Sequence, residues 1–470
     1  MKRHYLILLF LFLAIPSLVL SQDIHTTSKR AKTAFKTALE YFDRMDDQMA
    51  LVYCDKAIKA DKNFVEAYMM KAQILKDQDN YPAAIENFET ALAIDPDFYP
   101  EGFMVLASVQ FNSGLYEEAW TSVNTFLEKG VFRQITEHEA IEFQDRISFA
   151  LQAIRNPVPF NPENLGDSIN TELNEYWPSL SLDESRIIFT VLLPKDMGIK
   201  SEPGFQEDFY YSDKDENGTW TRARNAGGFL NTEKNEGAQT LSADGRILYF
   251  TACDRMDGFG KCDLYVSYNH SDRWTSPLNL GGTVNSRYSD KHPSVSSDGR
   301  ELYFASDRPG GKGGLDIWMT RKDKFDQWTT PVNLGDSINT PGNEQSPFIH
   351  SDNKSLYFSS EGHQNLGKGD IFLSRRTNNG KWLSPTNLGY PINTHHNEIG
   401  LIVNASGQVA YFSSDRNGIR GMDIYSFELY PEVQPTPVSY MKGRVYNSLT
   451  WKGIEAEFLL IDLSTGEVVI

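Results

Sequence analysis

Glu175, Glu236, Asp290, Glu344 and Glu398 follow one another at intervals of 61, 54, 54 and 54 residues. Carboxylates at equivalent points of a rotationally repeated structure would form a ring at the mouth of its central channel. Clustered acids lower the local potential, so such a ring suits a cation or a basic segment of a partner. Recurrence in every copy favours packing over such a ring, each acid pairing across to the neighbouring copy through Arg255, Arg308, Arg416 or a backbone amide, because a site rarely needs all five copies. Other candidate chemistry falls away. His395 and His396 are adjacent and would point to opposite faces of a strand, which suits chelation poorly. In "SSDGRELYF" glycine directly follows Asp298, as turns prefer, whereas a sialidase box spaces them as Ser-x-Asp-x-Gly. "GGKGG" lacks the strand, spacing and Lys-Ser/Thr end of a phosphate cradle, and no G-x-S-x-G elbow or H-E-x-x-H helix occurs. The expectation is no catalytic residue, no metal and no cofactor.

The acids are placed by a repeat. Trp220, Trp274, Trp328 and Trp382 stand 54 residues apart, and Asn225, Asn279, Asn333 and Asn387 keep the same interval, with Asn164 61 residues before the first. Each copy carries short aromatic and β-branched runs such as "ELYF" and "DIWMT" bounded by Gly, Asp, Asn and Pro, which are strand signals. Several short strands per copy and five copies predict a five-bladed β-propeller over 157–430. The seven extra residues of the first interval fall in a longer hairpin loop within 192–208. The last copy lacks a following Trp phrase, so 157–165 is expected to supply the outer strand of the fifth blade and remove an open edge.

The phrases "NEGAQTLSADGRILYFTACD" and "DKHPSVSSDGRELYFASDRPGGKGGLDIW" resemble the TolB-type, WD40-like repeat common in periplasmic proteins. Upstream, 22–156 changes to a helical period. Ala50, Ala84 and Ala119 lie 34 and 35 apart, and "VEAYMMKAQILKDQDNYPAAIENFETALAIDPDF" (65–98) resembles a tetratricopeptide repeat. Stacked helix pairs leave a concave face whose usual use is gripping a peptide or partner helix. Residues 1–21, with Lys2 and Arg3 before an apolar run, read as a secretory signal peptide cleaved before Gln22, the competing reading being a membrane anchor. In that oxidising setting Cys253 and Cys262, flanking a Gly-rich turn, are expected to form a disulfide, and Cys54 to be a buried free thiol. A Pro-rich linker, 431–437, precedes 438–470, which resembles the opening strands of a carboxypeptidase-regulatory-like β-sandwich and reads as cut short.

Proteins of this arrangement belong to a group of OmpA-family envelope proteins that includes the PorE-like proteins of type IX secretion. The resemblance implies a non-enzymatic scaffold at the periplasmic and outer-membrane face. Helical groove and propeller face would bind envelope proteins, and an OmpA-like domain outside this chain would bind peptidoglycan. The alternative is a propeller-supported hydrolase with its catalytic residues elsewhere. The net charge of −18 argues against nucleic acid, because no basic stripe is segregated to meet a phosphate backbone.

Overall fold

The computed structural model describes residues 24–195, 204–270, 273–416 and 421–439, with 445–450, 452 and 454. Two compact units divide at Pro437. The expected signal peptide and nearly all of the expected sandwich lie outside the described residues. No helix among the described residues is long and apolar enough to cross a membrane.

Seven α-helices open the first unit: α1 (Lys29–Asp43), α2 (Asp47–Ala60), α3 (Val65–Asp77), α4 (Tyr81–Ile94), α5 (Gly102–Asn112), α6 (Tyr116–Lys129) and α7 (Glu137–Arg155). Their ends are set locally. Ser28 and Asp46 accept backbone N–H groups at the starts of α1 and α2, and Thr136 with Glu139 forms a capping box on α7. Gly130 ends α6 in the left-handed conformation. The helices pair antiparallel over alanines that are wholly buried, including Ala38, Ala50, Ala72, Ala84, Ala107 and Ala119. Small side chains let the backbones approach, and aromatic rings such as Phe35, Phe88 and Phe126 fill the space between layers. Cys54 is buried and free.

The remainder is a five-bladed propeller of small antiparallel sheets, as the repeat predicts. A short β1 (Glu163–Asn164) precedes the first blade, β2 (Asn174–Leu180), β3 (Arg186–Pro194), β4 (Phe205–Asp213) and β5 (Arg224–Asn225). The second holds β6 (Glu236–Leu241), β7 (Ile247–Cys253), β8 (Cys262–His270), β9 (Arg273–Trp274) and β10 (Leu278–Asn279). The third has β11 (Asp290–Val295), β12 (Glu301–Ser306), β13 (Asp316–Arg321) and β14 (Val332–Asn333), and the fourth β15 (Glu344–Ile349), β16 (Ser355–Ser360), β17 (Asp370–Arg375) and β18 (Thr386–Asn387). The fifth consists of β19 (Glu398–Val403), β20 (Val409–Ser414) and β21 (Asp423–Glu428), and its outer edge is paired with β1. Glu163 and Asn164 pair in that ladder, and Leu165 N–H extends it by donating to Ile424 O at 3.2 Å. The preceding residues are held outside the ladder, Phe160 lying against Phe412 and Phe427 and Val158 N–H donating to Tyr390 O at 2.7 Å. Cys253 and Cys262 face one another at the ends of β7 and β8 and are disulfide-bonded. Residues 431–437, expected as a free linker, are seated on the propeller: Val433 is buried, the Tyr357 hydroxyl donates to its carbonyl at 2.5 Å, and Arg375 donates to Gln434 O at 2.9 Å.

Each blade is joined to the next by a loop of one pattern, Asn-x-Gly-x-x-x-Asn-Thr/Ser, with "NLGDSINT" standing at both 164–171 and 333–340. The first asparagine accepts, at 2.8 Å, the N–H of a glycine two residues on, which is left-handed in all five copies. Glycine is needed there because other side chains clash in that conformation. The second asparagine (Asn170, Asn231, Asn285, Asn339, Asn393) turns its amide onto a third strand and bonds both N–H and C=O of one residue. Asn339, for example, accepts from Ile317 N at 2.8 Å and donates to Ile317 O at 3.0 Å. Its Nδ2 also donates to Asn333 Oδ1 at 2.9 Å, and Asn333 in turn donates to Asp316 at 2.8 Å. A side-chain amide thus stands in for a strand residue and prolongs the ladder where the chain itself must turn away.

Asn339→Ala would leave the Ile317 N–H buried and unpaired, at roughly 1–3 kcal/mol for the orphaned group, while Ile317 O keeps the Leu334 N–H at 3.1 Å. Denaturant unfolding of the full chain should show a loss of about 1–3 kcal/mol; a loss under about 0.5 kcal/mol would mean that the third strands hold without the amide.

Candidate functional site

The five repeated acids all stand at the N-terminal ends of the inner strands, and all five are 0% exposed. They do not form a ring open to the channel mouth, which corrects the expectation from spacing. Each caps its own approach loop. Glu344 accepts from Thr340 N at 2.8 Å, Thr340 Oγ1 at 2.6 Å and Ser360 Oγ at 2.7 Å. Glu175, Glu236 and Glu398 bind the N–H and hydroxyl of the threonine four residues earlier in the same way. Asp290, one methylene shorter, accepts from Ser286 N and Ser306 Oγ at 2.6 Å, and from Arg308 at 2.5 Å. The arginines belong to the same blade as their acid, not to the neighbour: Arg308 to Asp290, Arg416 to Glu398 at 3.5 Å, Arg255 to Glu236 at 3.8 Å.

A second set of acids was not singled out from the sequence: Asp208, Asp263, Asp316, Asp370 and Asp423, on the third strands. Each receives the amide of a first-position asparagine, and Asp263, Asp316 and Asp370 also take the N–H four residues before them. The repeated "DLY", "DIW", "DIF" and "DIY" openings were the available signal. Burial raises the pKa of Glu175, Glu236, Glu344 and Glu398, the last two to about 7, against the opposing pull of their hydrogen bonds. Asp370, wholly buried and beside Glu398, is pushed well above the usual range. Among the described residues no three His, Cys, Asp or Glu side chains converge as a metal site. The rings of His395 and His396 lie 4.1 Å apart rather than on opposite faces of a strand as expected, His396 pairing with Asp415 at 3.2 Å while His395 packs against Gly114 of the helical segment.

The channel itself holds a cavity of about 90 Å³. Its floor is built at β-bulges, where the third residue from the carboxylate end of each inner strand is left-handed: Trp177, Ala238, His292, Ser346 and Gly400, with φ of 50, 50, 54, 50 and 65°. Trp177 crosses the axis. Its Nε1 donates to Ser346 Oγ at 3.0 Å, and its ring lies 4.6 Å from that of His292. His292 accepts the Ser346 N–H at Nδ1 at 3.3 Å, and burial lowers its pKa to about 3. Above this floor the lining is hydroxyls, aliphatic groups, the Phe348 ring and the amides of Gln239 and Asn404, with no Asp, Glu, Lys, Arg or Cys.

The helical segment is fixed to the propeller over blades four and five. Leu366, in the β16–β17 loop, is buried among Phe111, Tyr116, Phe126 and Ile147, and the Tyr116 hydroxyl donates to Leu366 O at 2.6 Å.

The tetratricopeptide-repeat family pattern matches residues 65–98, the span of α3 and α4. No curated protein matches the chain. Among solved structures it is similar to the first tetratricopeptide-repeat domain of Spaghetti (RPAP3) bound to an HSP90 peptide, at 21% identity over 28% of this chain and 99% of that one, TM-score 0.24. It is also similar to the RS223 β-xylosidase (14% identity, 59% and 98% covered, TM-score 0.38) and to the Trypanosoma rangeli sialidase (10% identity, 56% and 56% covered, TM-score 0.33).

The raised acids have a consequence in pH. A carboxyl whose folded pKa lies above its unfolded value binds a proton more tightly when folded, so its contribution is fully present below the unfolded pKa and is lost as pH rises through the folded one. For Glu344 that window runs from 4.5 to about 7. Glu344→Gln should remove this pH dependence, so that the wild-type minus variant unfolding free energy falls by on the order of 2–3 kcal/mol across it; a flat difference would show that the carboxyl stays ionised throughout.

Proposed function

We propose that the chain is a non-enzymatic scaffold of the cell envelope, exported by residues 1–21, with the helical groove and a propeller face as two protein-binding surfaces. The observation that carries the non-enzymatic part is the cavity lining. Glycoside hydrolysis takes a pair of carboxyl groups and acyl transfer a nucleophile with a base beside it. The cavity has no carboxyl group, and its one imidazole, His292, is tied to a backbone N–H. The repeated acids are occupied in holding loops.

Binding is supported by what is left uncovered. Phe259 stands in the β7–β8 loop where Leu366 stands in the β16–β17 loop, each donating its N–H to the aspartate four residues on. Leu366 is covered by helices, while Phe259 is 53% exposed and Met256 in the same disulfide-closed loop is fully exposed. A loop held rigid before contact loses less entropy on binding. Attachment to peptidoglycan through an OmpA-like domain, and a place in type IX-like secretion, extend this reading from the family resemblance.

N-terminal sequencing of the exported protein should begin at Gln22. Tagged full chain, purified from the envelope of its producing cell, is compared with two double variants at exposed positions, Met256→Asp with Phe259→Asp, and Met45→Asp with Val52→Asp. Each variant should melt as the parent does and lose a different co-purifying protein. If both keep every co-purifying protein, or if the chain turns over a glycoside or peptide and Trp177→Ala abolishes the turnover, the scaffold reading is wrong.

A further inference from the structure

Beyond the scaffold reading, and independent of it, we infer that the channel cavity above Trp177 binds a single uncharged sugar residue, at the end of a glycan or glycoside, and holds it without cleaving it. Five inner strands converge on this space, and their side chains bring to it polar hydrogens that the chain leaves unused.

His292 supplies the first. Its Nδ1 accepts the Ser346 N–H at 3.3 Å, so in the neutral ring the proton sits on Nε2. Burial keeps the ring neutral, with its pKa lowered to about 3. Nε2 has no hydrogen-bond partner among the described residues. Three hydroxyls are half used. Ser346 Oγ accepts the Trp177 Nε1–H at 3.0 Å, Ser179 Oγ the Leu241 N–H at 3.2 Å and Ser294 Oγ the Ile349 N–H at 2.9 Å. Each oxygen is thereby fixed in place, and each keeps its O–H to give. Thr240 and Ser351 also line the cavity, and their hydroxyls make no hydrogen bond among the described residues. The two amides of the wall are committed elsewhere. Gln239 Nε2 donates to Trp177 O and Ile188 O at 2.7 and 2.8 Å, and Asn404 Nδ2 to Glu184 at 3.0 Å.

These groups select the ligand. An ion entering the cavity would lose its water with no opposite charge in the lining to meet it. Sugar hydroxyls accept from the imidazole and serine donors and rotate to donate in turn. Trp177 and Phe348 line the same space, and aromatic faces suit the C–H groups of a sugar ring. The cavity of about 90 Å³ has room for about three waters at roughly 30 Å³ each, so it takes one edge of a ring. The remainder lies at the rim, where Leu182, Ala243 and Ser297 are partly exposed.

The site is built before any ligand arrives. Trp177 stands in the left-handed region at φ 50°, with its indole pinned by Ser346. Backbone strain of this kind persists where the surroundings fix it, and ligand clamps are one such place.

The probes are the uncharged methyl glycosides of glucose, galactose, xylose and N-acetylglucosamine, with glucuronate as the charged control. Each is titrated into the full chain at millimolar concentration and followed by calorimetry and saturation-transfer NMR. At least one uncharged glycoside should bind at one site per chain and remain intact, with glucuronate about tenfold weaker or more. Thr240→Val keeps the shape and removes an unpartnered hydroxyl. It should weaken binding about threefold to tenfold, as loss of one hydrogen bond implies, and melt no lower than the parent. Trp177→Ala should weaken binding further, whereas the Met256→Asp, Phe259→Asp double variant should leave it unchanged. No binding of any uncharged glycoside, glucuronate bound as tightly, binding indifferent to Thr240→Val, or cleavage of the bound glycoside each overturns the inference. Absence of sugar binding leaves the loss of co-purifying proteins from the surface variants untouched, so this inference and the scaffold reading fail separately.

Discussion

A backbone that turns away from a sheet still has N–H and C=O groups to satisfy, and in this propeller a buried asparagine amide satisfies them. An amide carries one acceptor and two donors in the geometry of a peptide group. Asn393 meets Ile371 N and O at 2.8 and 2.9 Å and passes its remaining donor to Asn387. Asn387 reaches Asp370, and the next inner strand begins with Glu398, which caps the same loop through Thr394. Asn393, Asn387 and Asp370 thus form one connected network in a stretch of low dielectric, in which loss of one member strands the others. The two acid sets follow from this arrangement. Their place is fixed by the amides and hydroxyls they serve, and their high pKa values record how little water reaches them.

This explains which parts of the structure were legible from sequence. The 54-residue period is carried by Trp328 and Trp382, which pack against Tyr249 and Tyr303 of the preceding blades, a contact every blade interface can use. A period fixes angle around an axis. It does not fix depth, so Glu175, Glu236, Asp290, Glu344 and Glu398 could be placed at one level of five blades without revealing that they lie inside the wall. The second asparagine was readable in "NLGDSINT" but looks like turn composition until its partner strand is known. Residues 431–437 misled for the opposite reason: proline-rich wording suggests a linker, whereas Val433 finds a pocket over blades four and five.

Contacts made once are hidden from any repeat. Leu366, Phe259 and Lys312 occupy one position in three blades, each N–H bonded to the aspartate four residues ahead. Only at Leu366 do the helices dock, and nothing in its own phrase distinguishes it. The docking adds Arg146 of α7, whose charge opposes the rise in the Asp370 pKa while burial lowers its own. One element of the propeller network is therefore completed from the helical segment, which ties the orientation of the helical groove to blades four and five.

The channel floor shows the same asymmetry at the level of strain. Five equivalent bulge residues are left-handed, a conformation costing an L-residue about 1–2 kcal/mol, yet only the fifth is glycine. Freedom from strain does not account for that choice alone, since tryptophan, alanine, histidine and serine bear it in the other blades. A Cβ on Gly400 would stand 2.8 Å from Trp177 Cδ1 and 3.1 Å from its Cα. Glycine in blade five makes room for tryptophan in blade one, and Ser346 and His292 then fix the indole across the axis. A channel that symmetry would leave open is closed by one side chain, because four of five equivalent positions differ in size in the way that side chain requires.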